Sequence, residues 1–281
     1  NSCSSREALE AVKKVGMHCI AHSHSSNSNF NKLTKTLHTI NKKRINKLAD
    51  VRLACSDAAG HFIFGNSDFE IIKNGIDTEK FSFNRAYRDE IRREFDIGDR
   101  FTLCHVGMFA PVKNHEFLID IFASVVKKHP DSVLLLVGTG SETEKIREKV
   151  SGLGLSKKVI FAGRRTDVEK IMSAADAFVL PSHFEGLPLV LVEAQSSGLN
   201  CFVSDAVPEE AKLLDNFEFI PLDIGAEAWA DRILSAALNT DRASASAVVA
   251  AAGYDCKLTA ARIEKIYSQQ IAPVSYTHLT L

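Results

Sequence analysis

The sequence predicts an α/β protein of two Rossmann-like, doubly wound parallel sheets, the first of them incomplete. Three observations carry this. From Phe101 onward, short β-rich runs alternate with amphipathic helical stretches, the pattern of repeated β-α units. The runs are apolar throughout rather than alternating, as in strands covered on both faces. Before residue 75 the same theme recurs more briefly, and a polar stretch follows it. In such sheets ligands bind at the carboxyl ends of strands, where loops lead into helix N-termini. The two halves are therefore expected to face a cleft.

In the first half, residues 16–22 read as a strand, 31–49 as a long helix, 51–56 as a strand, 57–65 as a helix and 69–75 as a strand. Residues 1–75 are thus expected to be the remnant of an N-terminal Rossmann-like domain, and 76–98 a hinge. Residues 99–250 form the second domain. Its strands are expected at 101–107, 132–138, 158–163, 177–181, 200–205 and 217–222, and its helices at 115–129, 142–150, 167–175, 188–197 and 226–239. Phe117, Leu118, Ile121, Phe122, Val125 and Val126 fall on one face of the first of these helices. Ser141 with Glu144, and Thr166 with Glu169, have capping-box spacing. Residues 251–273 read as a closing amphipathic helix. Residues 274–281 continue no pattern and resemble a translated sequencing adapter. There is no initiator Met, and the first residues run helix-like into a strand, so the chain is expected to be a fragment without its true N-terminus.

The composition, 45% hydrophobic and 25% charged with net charge −1, is that of a soluble globular protein and speaks against a nucleic-acid binder. The six cysteines include no C-x-x-C pair and no zinc-ligand spacing. They are expected to be buried reduced thiols of a cytoplasmic protein. No apolar run approaches the roughly 18 residues of a membrane span.

The stretch SHFEGLPLVLVEAQSSG, residues 182–198, places Glu185 at the carboxyl end of a strand. Pro188 suits the start of the following helix and Gly198 its end. Glu193 lies about two turns in, and helical side chains tilt back toward the N-terminus, so both carboxylates can face one crevice. Between them the N–H groups of Gly186 and Leu187 can receive an anion. Acid, phosphate cradle and acid suit a sugar nucleotide. From spacing alone, the plainer reading stays open: Glu185 as a helix-dipole partner and Glu193 as a solvated residue.

Five stretches in order, HFEGLPLVLVEAQSSGL, HVGMFAPVKNHEFLIDIF, LLLVGTGSETEKI, VIFAGRRTDV and NGIDTEKF, resemble glycosyltransferase family 4, retaining enzymes of the GT-B fold, and most closely its capsular and exopolysaccharide members. The resemblance spans residues 17–273. It implies that Glu185 contacts the donor sugar and Glu193 the nucleotide ribose. Gly186 and Leu187 would hold the distal phosphate, Lys113 would neutralise the leaving diphosphate, and Arg164 would start the loop lining the base pocket. It implies that His22 or His24 approaches the anomeric carbon. No metal is expected, and no Asp-x-Asp triplet occurs. Met108 stands where the family usually has an Arg that clamps the diphosphate with Lys113; either Arg164 or Arg165 reaches in, or donor binding is weaker here, or the gene is drifting. For Arg164 a plain surface role stays open, and for the histidines a strand-end polar role.

The implied donor is a nucleotide diphosphate sugar, more specifically a UDP-sugar, and the implied acceptor is a lipid-linked saccharide at the cytoplasmic membrane face. The helix over 32–52 carries seven basic residues and one acid, Asp50. Its apolar Leu33, Leu37, Ile40 and Ile45 are expected along one side. It reads either as a solvated basic face or as a surface for anionic lipid. Gly138 and Gly140 give only two glycines of a dinucleotide fingerprint and are expected to form a tight turn. The rival functions are a non-catalytic nucleotide-sugar binder, a nucleotide-sugar epimerase of the same fold and a nicotinamide oxidoreductase, the last opposed by the incomplete fingerprint.

Overall fold

The computed structural model describes residues 7–24, 32–239 and 241–270, the side chains of 32–34 excepted. The expected adapter-like tail and Cys3 lie outside the described residues. The chain divides into two compact units, Asn1–Gly75 with Cys256–Leu281, and Ile76–Asp255.

The first unit runs α1 (Glu7–Lys14), β1 (Ile20–Ser23), α2 (Lys32–Leu48), β2 (Val51–Ala54), α3 (Asp57–Phe64) and β3 (Glu70–Ile71). The three strands form a parallel sheet in the order β1-β2-β3. Ser56 caps α3, its hydroxyl accepting from the Ala59 N–H, so the turn out of β2 starts the helix without an orphaned donor. Ile45, Ala54, Ala59, Ile63 and Phe64 fill the small core. On α2 the apolar residues do not share one side: Ile45 is buried beside His38, Asn41 and Ala49, whereas Leu37 and Ile40 face solvent. The core takes polar His38 and Asn41 in their place. The Leu33 side chain lies outside the described residues.

The second unit begins with α4 (Arg85–Glu94). The expected hinge at 76–98 is therefore part of a domain: Asn84 caps α4 through the Ala86 and Tyr87 amides, and Ile91 is fully buried. Then follow β4 (Phe101–Val106), α5 (His115–Lys128), β5 (Ser132–Val137), α6 (Thr143–Gly152), β6 (Val159–Gly163), α7 (Val168–Ala174), β7 (Ala177–Leu180), α8 (Leu189–Ser196), β8 (Asn200–Ser204), β9 (Phe217–Ile220), α9 (Gly225–Ser235) and α10 (Ala245–Val249). The six parallel strands lie in the order β6-β5-β4-β7-β8-β9. Alternate residues feed two cores: Leu103, Leu134, Leu136 and Val179 join one face, and Cys104, Leu135, Val137 and Phe178 the other. That is why these strands read as continuous apolar runs. The last helix, α11 (Cys256–Gln270), belongs to the first unit, where Ile266 is buried beside Leu53 and Ile72 and Arg262 pairs with Glu70 at 2.5 Å.

Neither capping box forms. The N-cap residues are Glu142 for α6 and Asp167 for α7, and neither makes a side-chain cap bond. The end of α7 is closed differently. Arg88, Arg92 and Arg242 donate to the carbonyls of Met172, Ala174 and Ala175, and Asp176 pairs with Arg88 at 2.7 Å and Arg92 at 2.8 Å. Cys19, Cys55, Cys104 and Cys201 are buried free thiols; Cys256 is partly exposed.

Candidate functional site

The strand order reverses between β4 and β7, the place where open α/β sheets bind ligands. The β4–β7 ladder ends at Cys104↔Phe178, and the loops that follow rise apart. After β4 the chain makes a 3-10 turn at Pro111–Lys113, and left-handed Asn114 (φ 56°) turns it into α5. This turn aims Lys113 at the loop after β7. The two loops are tied by the His183 N–H donating to the Val112 carbonyl at 2.8 Å. Across them the Lys113 Nζ sits 2.7 Å from Glu185 Oε1, the side chains 19% and 11% exposed. An ammonium and a carboxylate are thus paired, mostly buried, beyond the carboxyl ends of β4 and β7.

The loop carrying Lys113 is braced by the glycines that suggested a dinucleotide turn. A Cβ on Gly138 would meet the Gly107 carbonyl oxygen at 2.0 Å, and one on Gly140 the Phe109 oxygen at 2.2 Å. The Gly107 and Phe109 N–H groups donate to the carbonyls of Val137 and Thr139. The glycines therefore serve close backbone approach of two loops, beyond the tight turn expected of them.

Glu185 is followed by Gly186 and Leu187, whose N–H groups have no acceptor among the described residues. The space above Gly186 is open, and α8 starts at Leu189 without a side-chain cap. Unpaired amides at an uncapped helix start form an anion seat. Glu193, further along α8, lies within electrostatic reach of Lys80 and Glu169, themselves paired at 3.3 Å. Burial pushes the Glu193 carboxyl up to about 7, with Glu169 adding to the rise and Lys80 opposing it.

Arg164 is exposed and joins no ion pair or hydrogen bond among the described residues. Arg165 cannot serve in place of the arginine missing at 108. Its guanidinium is committed to Glu94 at 2.6 Å and Asp167 at 2.8 Å. Met108 itself is 64% exposed. In the first unit, the His22 and His24 rings lie with centroids 4.0 Å apart, tilted by 42°, and His24 Nδ1 lies 3.0 Å from Asn74 Oδ1. Burial and the neighbouring His24 hold the His22 imidazole below its ordinary range. Among the described residues no group of three His, Cys, Asp or Glu side chains is placed to hold a metal ion, and no helix is long and apolar enough to cross a membrane.

Two residues escaped the sequence reading: His105 on β4 and His115 at the start of α5, both fully buried. The period-2 pattern carried a signal, since His105 shares a strand face with buried Leu103.

Residues 87–251, more than half of the chain, match the family described as glycosyl transferases group 1. The chain belongs to this family. This group 1 glycosyltransferase is 32% identical over 259 residues to a Bacillus subtilis protein named glycosyltransferase EpsF, covering 89% of the chain and 67% of EpsF. It is 35% identical over 141 residues to the Escherichia coli UDP-Gal:α-D-GlcNAc-diphosphoundecaprenol α-1,3-galactosyltransferase, covering 48% of the chain and 36% of that protein. Among solved structures, Anabaena HepE in complex with UDP superposes with a TM-score of 0.76 at 22% identity, over 93% of this chain and 75% of that one. At that identity the likeness establishes the fold, which is the GT-B type that the sequence predicted. The matched stretches span from about a third to two thirds of these curated relatives.

Proposed function

We propose that this glycosyltransferase moves a sugar, with retention of anomeric configuration, from a UDP-sugar to a lipid-linked or polysaccharide acceptor in capsule or exopolysaccharide assembly. The Lys113–Glu185 pair beside free amides at the switch point carries this reading. The UDP bound to HepE, the UDP-Gal donor and diphosphoundecaprenol acceptor in the E. coli relative's name, and the EpsF match support it.

In this reading the diphosphate takes Lys113 and the Gly186 and Leu187 amides, and the donor sugar takes Glu185. The acceptor hydroxyl attacks the anomeric carbon on the face from which the diphosphate leaves. The carbon–oxygen bond to phosphate breaks ahead of bond formation, and the departing phosphate oxygen accepts the acceptor's proton. Lys113 stabilises the charge that develops on that oxygen, and no metal or cofactor is invoked. Arg164 is assigned to the base pocket, and His22 or His24 to the donor sugar. Replacing the relevant histidine with Ala should lower turnover while leaving UDP affinity in place; unchanged turnover in both variants removes the assignment. Incubating the protein with a radiolabelled UDP-sugar tests the whole reading. Transfer or hydrolysis supports it, binding without turnover points to a binding module, and absence of UDP binding overturns it.

Glu193 is assigned to the ribose, which sets a pH dependence. Below about 7 its carboxyl is protonated and neutral; above it the carboxylate accepts hydrogen bonds from the ribose hydroxyls. Uridine, which lacks titrating phosphates, should therefore bind more tightly as pH rises from 6 to 8. In Glu193→Gln that slope should vanish. A flat wild-type profile contradicts the assignment.

Met108→Arg should tighten UDP binding at least tenfold, because a hydrogen bond to a charged group is worth about 1.5–3 kcal/mol. An unchanged Kd removes Met108 from the phosphate site. On α2, exposed Leu37 and Ile40 lie among exposed Lys43, Arg44 and Lys47, and this face is proposed to meet anionic lipid at the cytoplasmic side of the membrane. Cosedimentation with phosphatidylglycerol vesicles but not phosphatidylcholine vesicles is expected; equal binding to both removes the lipid role.

A further inference from the structure

The buried imidazole of His105 has one nitrogen accounted for and one not. Its Nδ1 lies 2.8 Å from the Val179 carbonyl oxygen. A carbonyl only accepts, so Nδ1 carries the proton and Nε2 the lone pair. The bond lies just past the end of the β4–β7 pairing, after Cys104↔Phe178. The Nε2 has no partner and is shut off from solvent. Burial, then His115 and Lys113, keep the ring neutral, its pKa well below the ordinary histidine value. His115 holds it edge-on at 4.6 Å and is itself stacked on Phe109 at 4.1 Å.

What faces the orphaned lone pair is the gap over Gly107. A Cβ placed there would stand 3.0 Å from His105 Nε2 and 3.7 Å from Lys113 Cε. Glycine leaves that gap empty, so the imidazole and the lysine stem wall the same small space. The Lys113 ammonium has three N–H donors, of which Glu185 takes one.

We propose that His105 is a positioning residue for Lys113, its Nε2 lone pair accepting one ammonium N–H while a diphosphate oxygen takes another. This rests on the donor reading above. Lys113 would be seated by His105, Glu185 and the ligand phosphate, and the unsatisfied buried acceptor would be satisfied in the bound state.

The test is the preference for UDP over uridine, measured calorimetrically. A wild-type protein without that preference defeats the donor reading, not this one. Given the preference, His105→Phe should cut it about tenfold while uridine affinity stays constant, because only the phosphate seat is disturbed. Gly107→Ala keeps the imidazole but fills the gap, and should give the same loss. A His105→Phe protein with the wild-type preference overturns the proposal, as does equal weakening of both ligands. Nitrogen-15 spectra of the wild-type imidazoles are independent of variant folding. The His105 Nε2 signal should move from a free to a hydrogen-bonded position on adding UDP, and an unmoved signal overturns the proposal equally.

Discussion

Lys113→Ala should reduce sugar transfer by about 100- to 1,000-fold, the effect of removing one preorganised group from a developing oxyanion. UDP affinity should fall at least tenfold in the same variant, through loss of a charge-assisted contact. The loss has a second source. Glu185 is 11% exposed and pairs with Lys113 in the free protein, so removing the ammonium leaves a poorly solvated carboxylate facing an anionic ligand. Glu185→Gln separates the two contributions. It frees Lys113 from its internal partner, so UDP should bind at least as tightly as to wild type, while turnover of the UDP-sugar falls because the sugar contact is gone. Isothermal titration with UDP and a radiolabel transfer assay read both. A Lys113→Ala protein with wild-type UDP affinity would falsify the phosphate assignment.

Asp176→Ala should be the most destabilising single change outside the apolar core. Asp176 neutralises Arg88 and Arg92 and also accepts the Thr102 N–H at 2.8 Å. The side chains of Asp176, Arg88 and Arg92 are only 11%, 18% and 9% exposed. Burial lowers the Arg242 guanidinium to about 9, with Asp176 working against the shift. Removing one partner of a buried charge network costs about 3–5 kcal/mol. For a domain of this size that is a drop in Tm on the order of 10 °C. Thermal unfolding followed by circular dichroism measures it; a shift under about 2 °C means the guanidiniums are satisfied by the α7 carbonyls alone.

The second sheet was legible because its central strands are buried on both faces, which leaves a local mark of unbroken apolar runs. The Glu185 loop was legible for the same reason, since a strand end followed by Pro188 and Gly198 fixes where loop and helix lie. Features set by distant contacts were not. Ser141 and Thr166 have the right spacing for caps, yet the start of α6 is set by the Glu142 N–H donating to the Phe109 carbonyl, a loop-to-loop bond absent from any local pattern. Lys80 and Glu169 reach Glu193 from separate elements, so neither charge could be paired with it by spacing. The helix α11 joins the first unit through contacts such as Arg262–Glu70, between residues far apart in sequence. On α2 the amphipathic reading failed because the core accepts His38 and Asn41 and leaves Leu37 and Ile40 outside.

In a crystal structure of the protein soaked with UDP, the diphosphate should lie within hydrogen-bonding distance of Lys113 Nζ and the Gly186 and Leu187 amides, with the Lys113–Glu185 pair opened or shared. UDP seated elsewhere on the second unit, with that pair intact, would contradict the phosphate assignment.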